Sequence, residues 1–115
     1  MGKIERFEDI MAWQRAKKLV LGVYGVFDGI RDYGFKGQIE RAAVSIMNNI
    51  AEGFERQSNK EFKQFLYISK GSCAEVRSML HLSKDLNFIS EEQAEQLIAS
   101  TEEISKMLSN FIKKL

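Results

Sequence analysis

None of the 115 residues is proline. Loop-rich domains collect proline, whereas helix interiors exclude it, because the ring removes an amide donor and clashes with the preceding turn. Its absence favours a few long helices joined by short connections. The apolar pattern agrees. Ile39, Ala42, Ala43, Ile46, Met47, Ile50 and Phe54 recur every three or four residues, the spacing of one buried helical face. The same period runs through Trp13, Ala16, Leu19, Val20, Val23, Phe27 and Ile30, and again through Phe62, Phe65, Leu66, Cys73, Val76, Leu80 and Leu86. It returns in Ala94, Leu97, Ile98, Ile104, Leu108, Phe111, Ile112 and Leu115.

These periods predict helices near 9–30, 38–56, 59–86 and 91–114, and so an all-α, up-down-up-down antiparallel four-helix bundle spanning 1–115 as a single domain. Glu8 and Asp9 suit the start of the first helix, where the dipole favours anions. Asp32 to Gly37, with Gly34 and Gly37, reads as a loop. Ser58 with Glu61, and Ser90 with Gln93, have the spacing of capping boxes. The third helix would be about 42 Å long. Gly22, Gly25 and Gly29 fall on one stripe of the first helix, each costing about 1 kcal/mol relative to alanine. Two explanations stay open: close approach of another helix, including one from a second subunit, or a weak and partly frayed helix.

Composition narrows the setting. Seventeen Lys and Arg against sixteen Asp and Glu leave a net charge of +1, which neither recruits nor repels nucleic acid in bulk. A single cysteine, Cys73, excludes an intramolecular disulfide framework and suits a reducing compartment. The segment Met1 to Arg6 leads into no apolar run of the kind a signal peptide needs, and Arg6 stands where myristoylation of Gly2 would want Ser or Thr. The longest apolar run, Leu19 to Phe27, is too short to cross a bilayer. The expectation is a cytoplasmic protein with no membrane partner.

The helix from Gln38 to Gly53 carries a second stripe opposite its apolar one: Gln38, Arg41, Ser45, Asn48, Asn49 and Glu52. Short hydrogen-bonding groups dominate it, not the Lys and Glu of an ordinary wet face. Ser72 and Glu75 on the third helix are its expected complement, with Glu75 pairing Arg41 or bonding Asn49, and Gly71 letting the helices come close. Gln38, Arg41, Ser45, Asn49, Glu52, Ser72 and Glu75 together make a candidate structural seam. Buried ionic groups are costly unless paired, so such a seam fixes helix register or subunit geometry. The alternative is a ligand or nucleic-acid site.

A second pattern lies on the third helix. Lys60, Lys63, Tyr67, Lys70, Arg77, His81 and Lys84 recur at helical spacing, interleaving cations with aromatic groups as phosphates and stacked bases would require. Its alternative is a solvated helix face. Catalysis finds little support. A di-iron bundle needs Glu-x-x-His pairs, and His81 is the one histidine. Zinc needs three or four Cys or His ligands. Cys73 and His81 would stand about 12 Å apart along one helix. No catalytic residue, metal or cofactor is expected, and the chain reads as a non-enzyme.

Several of these residues carry a family resemblance. Trp13-Gln14-x-Ala16, Gln38-Ile39-x-Arg41-Ala42-Ala43-x-Ser45-Ile46, Asn49-Ile50-Ala51-Glu52-Gly53, Arg56, Phe62-x-x-Phe65-Leu66 and Gly71-Ser72-x-x-Glu75 follow in order. Across nearly its whole length the chain resembles the small four-helix-bundle proteins encoded in intervening sequences of bacterial 23S ribosomal RNA genes. That family is similar in fold to accessory proteins of diversity-generating retroelements, pentameric barrels that contact a reverse transcriptase and nucleic acid. The resemblance implies a homo-oligomer of five subunits with a non-enzymatic role around RNA or DNA, or beside another protein of a genetic element. The competing class is a structural or protein-interaction module without nucleic-acid affinity, which the near-neutral charge favours.

Overall fold

Four helices carry the chain in the computed structural model, which describes residues 3–115: α1 (Met11–Val26), α2 (Tyr33–Phe54), α3 (Asn59–Asp85) and α4 (Glu91–Lys113). Met1 and Gly2, and with them the myristoylation site, lie outside the described residues. Each helix packs on the next in sequence, and α4 closes back on α1. No diagonal pair touches among the described residues. The result is the expected bundle, 43 Å long and about half as wide (22 × 19 Å). No described helix is long and apolar enough to cross a membrane.

The first helix departs from its expected bounds at both ends. Phe7–Asp9 makes a single 3-10 turn, and Ile10 then adopts extended backbone and buries its side chain, so α1 begins at Met11. Burial of Ile10 outweighs the acidic start that Glu8 and Asp9 offered. Gln14 ties the two pieces by donating from Nε2 to the Glu8 carbonyl at 2.8 Å, and Phe7 stands edge-on to Trp13. At the other end Phe27 leaves the helix to enter the core, so Gly29 falls in the following turn.

The predicted loop from Asp32 to Gly37 is helix instead, from Tyr33 onward. Asp32 accepts from the Phe35 amide at 3.1 Å, satisfying a first-turn donor that has no partner within the helix. Phe35 then packs against both Phe27 and Phe88, with ring centroids 6.1 and 5.3 Å away. A cap plus an aromatic anchor overrides two glycines. The remaining boundaries follow the sequence. Ser58 caps α3 by accepting from the Glu61 amide, although the reciprocal half of the box is not made. Ser90 and Gln93 make both halves on α4. Asn87, at φ 59°, ends α3 in a Schellman turn, its amide reaching Lys84 and that of Phe88 reaching Ser83.

The core is close to the one expected, with instructive exceptions. Ser69, Ser83 and Thr101 are buried polar residues that an apolar count passes over, and each donates its hydroxyl to a backbone carbonyl. Leu86 is exposed, because it caps the end of α3 at the turn. Cys73 is buried and donates from Sγ to the Thr101 carbonyl at 3.3 Å.

The glycines sort by what surrounds them. A Cβ at Gly53 would stand 2.6 Å from Cβ of Phe65, a side-chain root that cannot swing away. One at Gly22 would meet the end of Leu97 at 3.0 Å, so α4 of the same chain explains that position. A Cβ at Gly25, Gly29 or Gly71 would meet no described atom within 4 Å beyond its own stretch of chain. Gly71 therefore does not bring α2 and α3 together; Gly53 does. Gly53→Ala should destabilise the fold by about 1–3 kcal/mol through overpacking. Gly71→Ala should stabilise a dissociated subunit by about 1 kcal/mol. Chemical denaturation of both variants checks the contrast.

Candidate functional site

The polar seam forms between α2 and α3 of one subunit. Ser45 and Ser72 share a hydroxyl hydrogen bond of 2.9 Å, and Asn49 donates its amide to the Ser45 hydroxyl and carbonyl. Gln38 donates to Glu75 at 3.3 Å near the far end. Ser69, which the sequence reading missed, donates to the Ile46 carbonyl at 2.7 Å in the buried centre. A serine among the apolar positions Phe62, Leu66 and Cys73 was the available signal. Small hydroxyls let the backbones approach, and their bonds leave no described buried side-chain polar atom unsatisfied.

The ionic members behave differently. Arg41 is exposed and makes no ion pair with Glu75; its guanidinium folds back over Gly37, where a Cβ would stand 2.9 Å from Nη1. Glu75 is engaged by Gln38 instead of Arg41 or Asn49. Glu52 pairs with Arg56 at 3.0 Å, one helical turn on, and Arg56 lies over the Phe65 ring at 4.7 Å. The seam is thus three small groups: Ser45 with Asn49 and Ser72, Gln38 with Glu75, and Glu52 with Arg56. The hydroxyl and amide groups knit α2 to α3, while Glu52 and Arg56 clamp the outside of the Gly53–Phe65 contact.

The basic stripe of α3 divides into two lines. Lys63, Lys70, Arg77 and Lys84, spaced by seven residues, are all half-buried. Lys70 reaches across to α4 and donates to the Ser109 hydroxyl at 2.7 Å. Arg77 lines a groove of about 480 Å³ with Glu102, Ser105, Lys106, Ser109 and Asn110 of α4. Lys60, Tyr67 and His81 stand apart on the solvent side, all exposed. No cation of either line is ion-paired within the described residues. Sequence spacing did not show that α4 would add Lys106 and two hydroxyls to this groove.

No described group of three His, Cys, Asp or Glu residues could hold a metal. Cys73 and His81 lie on opposite sides of the burial boundary, one in the core and one in solvent. Burial pushes the Cys73 thiol up to about 11, against the opposing pull of Arg77 and Lys70, so it is a poor nucleophile near neutrality.

The profile of the 23S rRNA-intervening sequence protein family matches residues 8–110. Among solved structures, the chain is similar to a protein of unknown function from the S23 ribosomal protein family of Bacteroides thetaiotaomicron. The two share 24% identity with a TM-score of 0.85, over 90% of this chain and 99% of that one. That likeness establishes the fold. No curated protein matches the chain.

The split within the seam sets the outcome of two substitutions. Ser72→Ala should cost about 1 kcal/mol by removing the bond that joins α2 to α3. Arg41→Leu should change the stability of a single subunit by less than about 0.5 kcal/mol, as expected of an exposed, unpaired side chain. Urea titration of the two variants under dissociating conditions measures both.

Proposed function

The chain belongs to the 23S rRNA-intervening sequence protein family, and from that premise we propose a non-enzymatic, self-associating accessory protein that holds nucleic acid along its α3/α4 groove. The observation that carries this reading is the line Lys63, Lys70, Arg77 and Lys84, none in an ion pair among the described residues; Lys70 bonds Ser109, and Arg77 shares the groove with Ser105, Lys106 and one carboxylate, Glu102. Seven residues of helix advance about 10.5 Å, so these cations sample a polyanion at regular intervals along the bundle. Phosphate contacts of that kind carry affinity without sequence preference. The exposed Lys60, Tyr67 and His81 would extend the contact toward bases. A cytoplasmic setting is part of the proposal, favoured by the lone thiol.

Self-association has its own support. Leu21 and Tyr24 on α1, and Ile68 and Leu82 on α3, are large apolar side chains in solvent. Gly25 and Gly71 lie beside them with open space above. These stripes occupy diagonal corners of the bundle. Joining the α1 stripe of one copy to the α3 stripe of the next makes a head-to-tail contact, the type that closes into rings. Five members is the number that the resemblance implies. The same exposed stripe favours a second reading, a protein-interaction module whose partner is another protein of a genetic element.

Binding to a single-stranded RNA or DNA should weaken steeply with salt, in proportion to the phosphates neutralised. Replacing Lys63, Lys70, Arg77 and Lys84 together by Gln should abolish it at unchanged helix content. Fluorescence anisotropy across a salt series reads both; no salt-sensitive binding at low ionic strength would leave the interaction-module reading. For assembly, native mass spectrometry should return a ring-sized oligomer, and Leu82→Glu should shift it to monomer. A wild-type monomer at micromolar concentration would refute the assembly.

A further inference from the structure

We propose that one end of the bundle is a binding site for a small amphipathic acid, an apolar chain bearing one carboxylate. The N-terminal segment, the turn between α2 and α3 and the last turns of α4 meet there around a cleft of about 730 Å³, a volume usual for small-molecule sites. Its floor is Ile4, Met11, Phe54, Phe62, Met107 and Phe111. Phe62 stands edge-on to Phe54 at 5.9 Å and to Phe111 at 5.3 Å, so the rings brace one another and the floor is preformed. Phe54, Met107 and Phe111 are only half covered. An alkyl chain lying on them would remove that apolar surface from water.

Two other grooves among the described residues differ from it. The one between α1 and α4 is lined by Arg15, Lys18, Gln96 and Glu103 among others, and the one between α3 and α4 by the polar groups already described; neither contains an aromatic ring. The opposite end of the bundle is filled by Phe27, Phe35 and Phe88. An apolar floor of flexible methionines and braced phenylalanines distinguishes this cleft from those two grooves.

The rim selects the head group. Lys3, Arg56 and Lys114 line the cleft against one side-chain carboxylate, Asp9; Arg56 is already paired with Glu52, which leaves Lys3 and Lys114 to meet a ligand. The first turn of α3 opens onto the same rim through Ser58 and Asn59. The Ser58 hydroxyl is already occupied by the Glu61 amide, while the amides of Asn59 and Lys60 have no acceptor within the described residues. A carboxylate there meets cations and free amide donors together, with its chain running inward. An alcohol loses the charge-assisted bonds, and an amine meets repulsion.

Calorimetry with decanoate, decanol and decylamine, each below its micellar concentration, tests this, with methyl NMR of Met11 and Met107 as the site readout. Decanoate should bind saturably, one per subunit, and about tenfold more tightly than decanol, with decylamine weakest. Both methionine methyl signals should shift. Met107→Trp, which fills the cleft, should abolish binding at unchanged helix content. If that variant misfolds, Lys114→Gln at an exposed position carries the same test, lowering decanoate affinity and leaving decanol unaffected. Equal affinity for the three probes, or methionine methyls unmoved by saturating decanoate, would overturn the proposal. The test is independent of nucleic-acid binding, which the groove variants probe separately.

Discussion

Everything in this bundle depends on how closely α2 and α3 approach. Gly53 against Phe65 brings the two backbones nearer than any side chain at that position would allow. Farther along the same interface the fillers are Ser45, Ser69 and Ser72, whose hydroxyls bond each other or a carbonyl and so fit a gap too narrow for leucine. This is packing by small polar groups in place of large apolar ones. It favours one register, since sliding either helix by a turn would strand several hydrogen-bonding groups in an apolar interface. Many residues that carry the family resemblance lie on this one contact: Ser45, Asn49, Glu52, Gly53, Arg56, Phe65 and Ser72.

Fixing α2 against α3 places the rest. α3 presents Lys70 and Arg77 to α4, while its other flank is committed to α2. Lys70 reaches Ser109, and Arg77 lies over the groove instead of in solvent. α1 has no side-chain cap at its start and an outward face of Leu21, Tyr24 and Gly25.

How much of this was legible differs by kind of feature. The four helices and most of the buried positions could be read because helical periodicity reports burial directly. The turn before α2 was misread because two glycines were weighed without the Asp32 cap, a local signal, and the Phe35 anchor, which acts across the chain. The seam was legible as a stripe of short polar residues, but its pairing was not. Arg41 looked like the natural partner of Glu75, yet spacing along a helix does not reveal whether a long side chain extends or folds back over Gly37. Gly71 looked like the mark of a close approach, but Gly53 is the glycine that makes it. Which of them faces a neighbour depends on the crossing of α2 and α3, a property of two helices at once. The same holds for Lys106, whose nearness to Arg77 exists only after α4 has folded back.

The two ends of the bundle are not equivalent. At one, Phe27, Phe35 and Phe88 interlock, Asp32 and the Ser90–Gln93 pair hold the helix starts, and Asn87 stops α3 sharply. At the other, α1 starts uncapped, α3 keeps one bond of its cap, and the floor phenylalanines border an open cleft. Local opening therefore has a direction. Amide protons should exchange fastest near Met11, Asn59 and Lys113, and protection should deepen toward the interlocked phenylalanines, as in a zipper fastened at one end.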